Sequence, residues 1–145
     1  MKAYKVFMEA KKPSEVLNSN LIKTYHKFQK EVESALTDFR YRAEYFEKRN
    51  AYLYKISSRY NITSVVSTIL SEREPDAAFF VYKKNKVLSM SARCQTGRIN
   101  LAELFKKICK DLGSGGGHPQ AAAANIPLKH AEEFLERLKN FLEGI

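Results

Sequence analysis

The residues with the most chemical content are Gly113-Ser114-Gly115-Gly116-Gly117-His118-Pro119-Gln120, followed by four alanines. Four of the six glycines fall within five positions. Residues without a side chain let backbone amides approach a ligand closely, and successive amides can line a concave anion site. The string reads as a Gly-rich loop, 113–117. A helical turn beginning near Pro119 would add free amides and a dipole. His118 can donate to a phosphate oxygen or stack on a base, and Gln120 can bond a sugar or base edge. GxGxxG and GK[ST] are both absent, so the string is neither a dinucleotide fingerprint nor a Walker loop. A plain helix-to-strand connector is the competing reading, but it seldom needs three successive glycines before His-Pro.

A second cluster, Ser89-Met90-Ser91-Ala92-Arg93-Cys94-Gln95-Thr96-Gly97-Arg98, ends a predicted strand. Period-two alternation puts Ser89, Ser91 and Arg93 on one face. A cationic strand end beside a Gly-rich segment can form a two-sided phosphate clamp, with the arginine fork pairing to phosphate oxygens. An edge strand with a solvated face is the bland alternative. His26 reads as a residue on the solvated face of a helix, and His130 as lying in the first turn of the last helix. Tyr41, Tyr45, Tyr52, Tyr54 and Tyr60 lie near Arg40, Arg42 and Arg49. Such a set can stack bases, but half-buried packing is the preferred reading.

The elements that must position these residues follow from periodicity. Leu21, Tyr25, Phe28, Val32, Ala35 or Leu36, and Phe39 recur at helical spacing, predicting a long amphipathic helix over 19–40. Its apolar stripe must pack on this chain's own sheet, on another domain or on a second copy. Pro13-Ser14-Glu15 looks like an earlier helix start. Residues 51–57 read as a strand, and Asn61 as the cap of a helix through Leu70. Residues 77–82 and 87–93 read as a hairpin across Lys83-Lys84-Asn85-Lys86, with Asn85 suited to a left-handed turn. Asn100 caps a helix to Ile108, residues 121–126 form a short strand, and 128–142 a final helix. Strands interleaved with helices give an α/β or α+β fold, a mixed sheet flanked by helices. The reading divides the chain into 1–50, a helical extension, and 51–145, the binding domain.

The charge is uneven. The net charge is +9, and residues 83–110 hold eight basic side chains against one acid, Glu103. So basic a stretch points to an anionic partner, nucleic acid first, although a solvated basic face would look the same. Lys83, Lys84, Gln95, Arg98 and Lys106 are the accessory candidates for nucleic-acid contact. No apolar run exceeds six residues, Ala77–Tyr82, far short of the ~20 that a membrane helix needs. Charges interrupt the first twelve residues, so a secretion signal is not expected and a cytoplasmic setting is. Cys94 and Cys109 form no CxxC and read as buried free thiols.

GSGGGHPQAA, preceded by a strand of the form S-x-R and a helix of the form N-L-x-E-L-x-K, resembles the DHH-associated domain, the C-terminal domain of the DHH phosphoesterase superfamily. That superfamily includes RecJ-like exonucleases and oligoribonucleases. The resemblance runs from about Ala51 to Phe141, with the N-terminal helix similar to the linker joining this domain to the catalytic one. It implies a mixed sheet of about five strands flanked by helices. It also implies that Gly115, Gly116, Gly117, His118 and Arg93, with Ser91 less securely, bind substrate phosphate. The family pattern continues GGGHPQAAG, and here Ala123 replaces the last glycine. The Asp-His-His triplet is absent, and the chain has only three histidines and three aspartates. The chain is therefore expected to be inactive alone and to hold no cofactor. Manganese or magnesium is expected only in a catalytic DHH domain, met in cis or in trans. Self-association through the N-terminal helix is a further expectation. The alternatives are a protein-interaction module of a replication or repair complex, a small phosphonucleotide-binding domain, and an intact enzyme.

Overall fold

The computed structural model describes residues 20–145, so the reading at Pro13-Ser14-Glu15 lies outside the described residues. The order is α1 (Asn20–Arg42), β1 (Glu44–Phe46), a 3-10 turn (Glu47–Arg49), β2 (Ala51–Lys55), α2 (Thr63–Arg73), β3 (Ala78–Lys84), β4 (Val87–Arg93), α3 (Leu101–Ile108), β5 (Ser114–His118), β6 (Ala121–Pro127), a second 3-10 turn (Leu128–His130) and α4 (Ala131–Leu142). The sheet has six strands in the order β1-β2-β3-β4-β6-β5. Only β2 and β3 run parallel, joined by α2 as a crossover, and the other neighbours are antiparallel.

Two apolar layers sandwich the sheet. On one face Val32 and Ala35 of α1, with Val66 and Leu70 of α2, cover Tyr54, Phe79 and Val81. On the other, Leu101, Leu104, Phe105 and Ile108 of α3 and Phe134 and Leu138 of α4 cover Phe80, Leu88, Met90, Ala122, Ala124 and Ile126. From Phe28 to Phe39 the helical stripe of α1 is thus used inside the chain, on its own sheet. Tyr41, 78% exposed, remains on the outer surface of α1. Both cysteines are free and buried.

Several local readings need correction. The sheet gains a strand, β1, too short at three residues to leave a periodic signal. Asn61 does not cap α2: Ile62 occupies the cap position, with no side-chain bond. Asn85 is not left-handed; among the described residues the non-glycine residues at positive φ are Asn50 (φ 47) and Asp111 (φ 65). By contrast Asn100 caps α3, its side chain accepting from the Glu103 amide at 3.1 Å.

The long helix is fastened to the sheet by Tyr54, whose hydroxyl donates to the Ala35 carbonyl at 2.7 Å. Burial, with Asp38 nearby, pushes the Tyr54 phenol up to about 12 against a weaker lowering by Arg42, and burial pushes the Cys109 thiol up to about 11. A folded-state value above the unfolded one gives stability that is complete below the unfolded value and lost as pH rises through the folded one. The denaturant midpoint is therefore expected to decline from about pH 9 upward. Tyr54→Phe should lower the midpoint at neutral pH by the equivalent of ~1 kcal/mol and shallow the alkaline decline. A flat midpoint from pH 9 to 11.5 would contradict this.

Candidate phosphate-binding face

The Gly-rich segment is not a loop. Ser114–His118 is edge strand β5, paired antiparallel with β6 across a two-residue turn, Pro119-Gln120. Each of the three glycines meets a different environment. A Cβ on Gly115 would lie closer than 3.0 Å to the Cys109 sulfur, below the strand. A Cβ on Gly117, whose φ is +151°, would come as close to the Ala121 carbonyl oxygen. A Cβ on Gly116 would meet nothing within 4 Å. Gly115 and Gly117 therefore let β5 lie close on α3 and β6, while Gly116 opens onto solvent.

Register sets the face that Gly116 shares. Arg93, Ala121 and His118 form one cross-strand row; Ser91, Ala123 and Gly116 the next; Ser89, Asn125 and Ser114 the third. All lie on the sheet face that carries Phe79 and Val81, which pair with Arg93 and Ser91. Helices α1 and α2 cover that face over β2, β3 and part of β4, but Ala123, Asn125 and the whole of β5 stay exposed. The alanines give a shallow floor between two polar walls. Two strand spacings of ~4.8 Å put the Arg93 and His118 backbones about 10 Å apart, a span that a phosphate and two polar side chains can fill.

Arg93 is half-buried on this face and makes no hydrogen bond or ion pair among the described residues. That sets it apart from Arg49, Arg98 and Arg137, whose guanidinium groups donate to backbone carbonyls. His118, also without a partner among the described residues, ends β5 exposed to solvent. Ser91 is 9% exposed, and its hydroxyl is hydrogen-bonded to the Ser67 hydroxyl at 3.1 Å. It therefore holds α2 against β4 and offers a ligand little surface. Gln120 is exposed in the turn, beside Gly97.

The accessory candidates scatter. Lys83 projects on the open face side, opposite Ser89, and donates to the Tyr60 carbonyl at 3.2 Å. Lys84 lies on the reverse face. Lys106 is on α3, which packs behind the sheet. Gln95 donates to the Ser71 hydroxyl at 3.2 Å. Arg98 ties three carbonyls, those of Asp76, Arg49 and Asn50, which pins the 97–98 turn to the β1–β2 corner. These bonds give it a structural role. Arg98→Ala should cost ~2 kcal/mol of unfolding free energy, read from the urea midpoint, because charge-assisted bonds to three carbonyls are lost. Unchanged stability with weakened ligand binding would reverse that assignment.

Sequence reading missed Ser114 and Asn125. Their signal was present in the period-two register of a hairpin turning at Pro119-Gln120, obscured by reading 113–117 as loop. Among the described residues no three His, Cys, Asp or Glu side chains gather. Nor is any described helix long and apolar enough to cross a membrane.

The match to the DHHA1 domain model covers residues 50–144, and the chain belongs to that family, the DHH-associated domains. It is 36% identical over 103 residues to an uncharacterized protein of Methanocaldococcus jannaschii, covering 67% of this chain and 30% of that relative. The fold is similar to RecJ of Thermus thermophilus, solved with Mg2+, with a TM-score of 0.65 and 16% identity over 86% of this chain and 19% of that one. It is also similar to the pGpG-specific phosphodiesterase PggH of Vibrio cholerae, with a TM-score of 0.58 and 16% identity over 90% of this chain and 45% of that one. The chain thus spans less than half the length of each of these relatives.

Proposed function

We propose that this chain is the substrate-binding module of a DHH-type phosphoesterase, which grips the phosphate backbone of single-stranded DNA, RNA or a short oligonucleotide on the open face of β4, β6 and β5. The observation that carries the reading is one row of geometry. Arg93 and His118, both without partners among the described residues, flank Ala121, and Gly116 beside them leaves space that any side chain would occupy. Arginine supplies a planar donor fork, histidine a second donor, and the exposed glycine strand brings backbone amides close to the ligand. Hydrolysis is assigned to a catalytic DHH domain, in cis or in trans, which would supply the manganese or magnesium site. Membership of the DHHA1 family and the small share of its relatives that this chain spans support that division of labour.

Affinity for a single-stranded oligonucleotide should fall with salt along a log–log slope of a few units, at about 0.7 per phosphate contact. Fluorescence anisotropy over a salt series measures it. A flat response, or no binding at low salt, would favour a module that contacts only protein. The observation that favours this second reading is Tyr41, exposed on α1 with Arg40 stacked 5.5 Å from its ring centroid.

A further inference from the structure

α2 turns a stripe of three small hydroxyl side chains toward the sheet, Thr63, Ser67 and Ser71, all buried. Two have partners: Ser71 accepts from Gln95 Nε2, and Ser67 shares a hydrogen bond with Ser91. Thr63 has none. It is 4% exposed, and its hydroxyl makes no hydrogen bond among the described residues. A buried hydroxyl left that way is costly unless it faces water or a ligand, and no fully enclosed side-chain oxygen or nitrogen among the described residues lacks a partner. Thr63 therefore keeps its contact with the cleft it lines, a space of about 380 Å³ between the first turn of α2, Lys83 of β3 and the middle of β4 and β6, from Ser89 and Asn125 to Ser91 and Ala123.

The rest of that cleft suits an anion. No side chain caps α2, so its first-turn amides and the positive end of its dipole open beside Thr63 and Ser64. Lys83 uses one donor on the Tyr60 carbonyl at 3.2 Å and has two left. Asn125 Oδ1 accepts from Ser89 at 3.1 Å, which leaves the amide nitrogen to donate. Among the described residues no carboxylate lines the space. Arg93 stands four residues along β4 from Ser89, about 13 Å away at ~3.3 Å per residue.

We propose that this cleft is a second phosphate subsite, centred on Thr63 and Lys83 two cross-strand rows along the open face from Arg93 and His118, and that the ligand is therefore a chain bearing at least two phosphates, an oligonucleotide and not a mononucleotide. The subsite stands on its own residues, whereas the ligand class rests on the proposed function. Thr63 and the α2 amides would bind phosphate oxygens directly, and Lys83 would supply the charge. The separation exceeds what one phosphate can bridge and suits phosphates along a short strand.

The test titrates the isotope-labelled chain with inorganic phosphate while following amide resonances. It then compares a nucleoside monophosphate with a trinucleotide on the wild type, Thr63→Val and Lys83→Gln. Phosphate should shift the Thr63, Ser64 and Val65 amides. Each variant should bind the trinucleotide about tenfold more weakly, as for loss of one charge-assisted hydrogen bond, and the monophosphate with a much smaller loss, because Arg93 and His118 still hold its single phosphate. Lys83→Gln carries the test should Thr63→Val fold poorly. Shifts confined to Arg93 and His118, with variants that bind the trinucleotide normally, would overturn the subsite and leave the proposed function intact. Shifts confined to Thr63–Val65 would support the subsite and overturn the role of Arg93. No shifts and no trinucleotide binding would overturn both.

Discussion

Gly117→Ala is expected to destabilise the protein by ~3 kcal/mol or more, and Gly115→Ala by ~1–3 kcal/mol, whereas Gly116→Ala between them leaves stability unchanged or slightly raised. The differences follow from what each new methyl group meets. At Gly117 it runs into the Ala121 carbonyl oxygen, on a backbone at φ +151° that side-chain-bearing residues rarely adopt. Neither the strand nor its partner can give way without breaking the hairpin, so overpacking and backbone strain act together. At Gly115 it runs into the Cys109 sulfur, on a side chain buried at the end of α3. That clash has a specific remedy: Cys109→Ala removes the sulfur and should restore most of the loss, a non-additivity expected of groups in contact. At Gly116 there is no neighbour, and alanine costs a strand less backbone entropy than glycine. Gly116→Val should fold yet lose ligand binding, because it fills the space left for phosphate. Chemical denaturation of the three alanine variants and of the Cys109 double variant settles the pattern. Equal losses at all three positions would show that backbone freedom, and not close packing, is why this strand is glycine.

How much of this was legible in the sequence depended on where each signal is stored. The hairpin β3–β4 and the helices α3 and α4 were readable because their information is local. Asn100 caps α3 three residues before Glu103, and Phe134, Leu138 and Leu142 repeat at four-residue steps. Strand β5 was not readable, because Gly is depleted in strands and carries no side-chain pattern. Its extended form is imposed by the ladder to β6 and by α3 beneath it. The role of Arg98 was equally hidden, since its partners are 22, 48 and 49 residues away. Arg93 was legible because alternation alone places it with Ser91 and Ser89. What alternation could not show is that α2 hides Ser91 and leaves Arg93 free.

Arg93→Ala and His118→Ala should each weaken binding of a single-stranded oligonucleotide by about 1.5–3 kcal/mol, the range for losing a hydrogen bond to a charged group. Arg93 is half-buried and His118 exposed, and neither has a partner to orphan. Each variant should therefore melt within a few degrees of the wild type, as surface changes of about ±0.5 kcal/mol do. Since both side chains would grip the same phosphate, the double variant should lose less than the sum. A loss confined to one variant would move the ligand along the face without abolishing the site.

The most direct measurement is a double-mutant cycle: oligonucleotide affinity and melting temperature for the wild type, Arg93→Ala, His118→Ala and the double variant, at one low salt concentration. A shared phosphate clamp predicts large, sub-additive losses of affinity with melting temperatures nearly unchanged. Variants that unfold, or that bind as tightly as the wild type, would contradict it and show that the open face of β4, β6 and β5 is not where this chain meets phosphate.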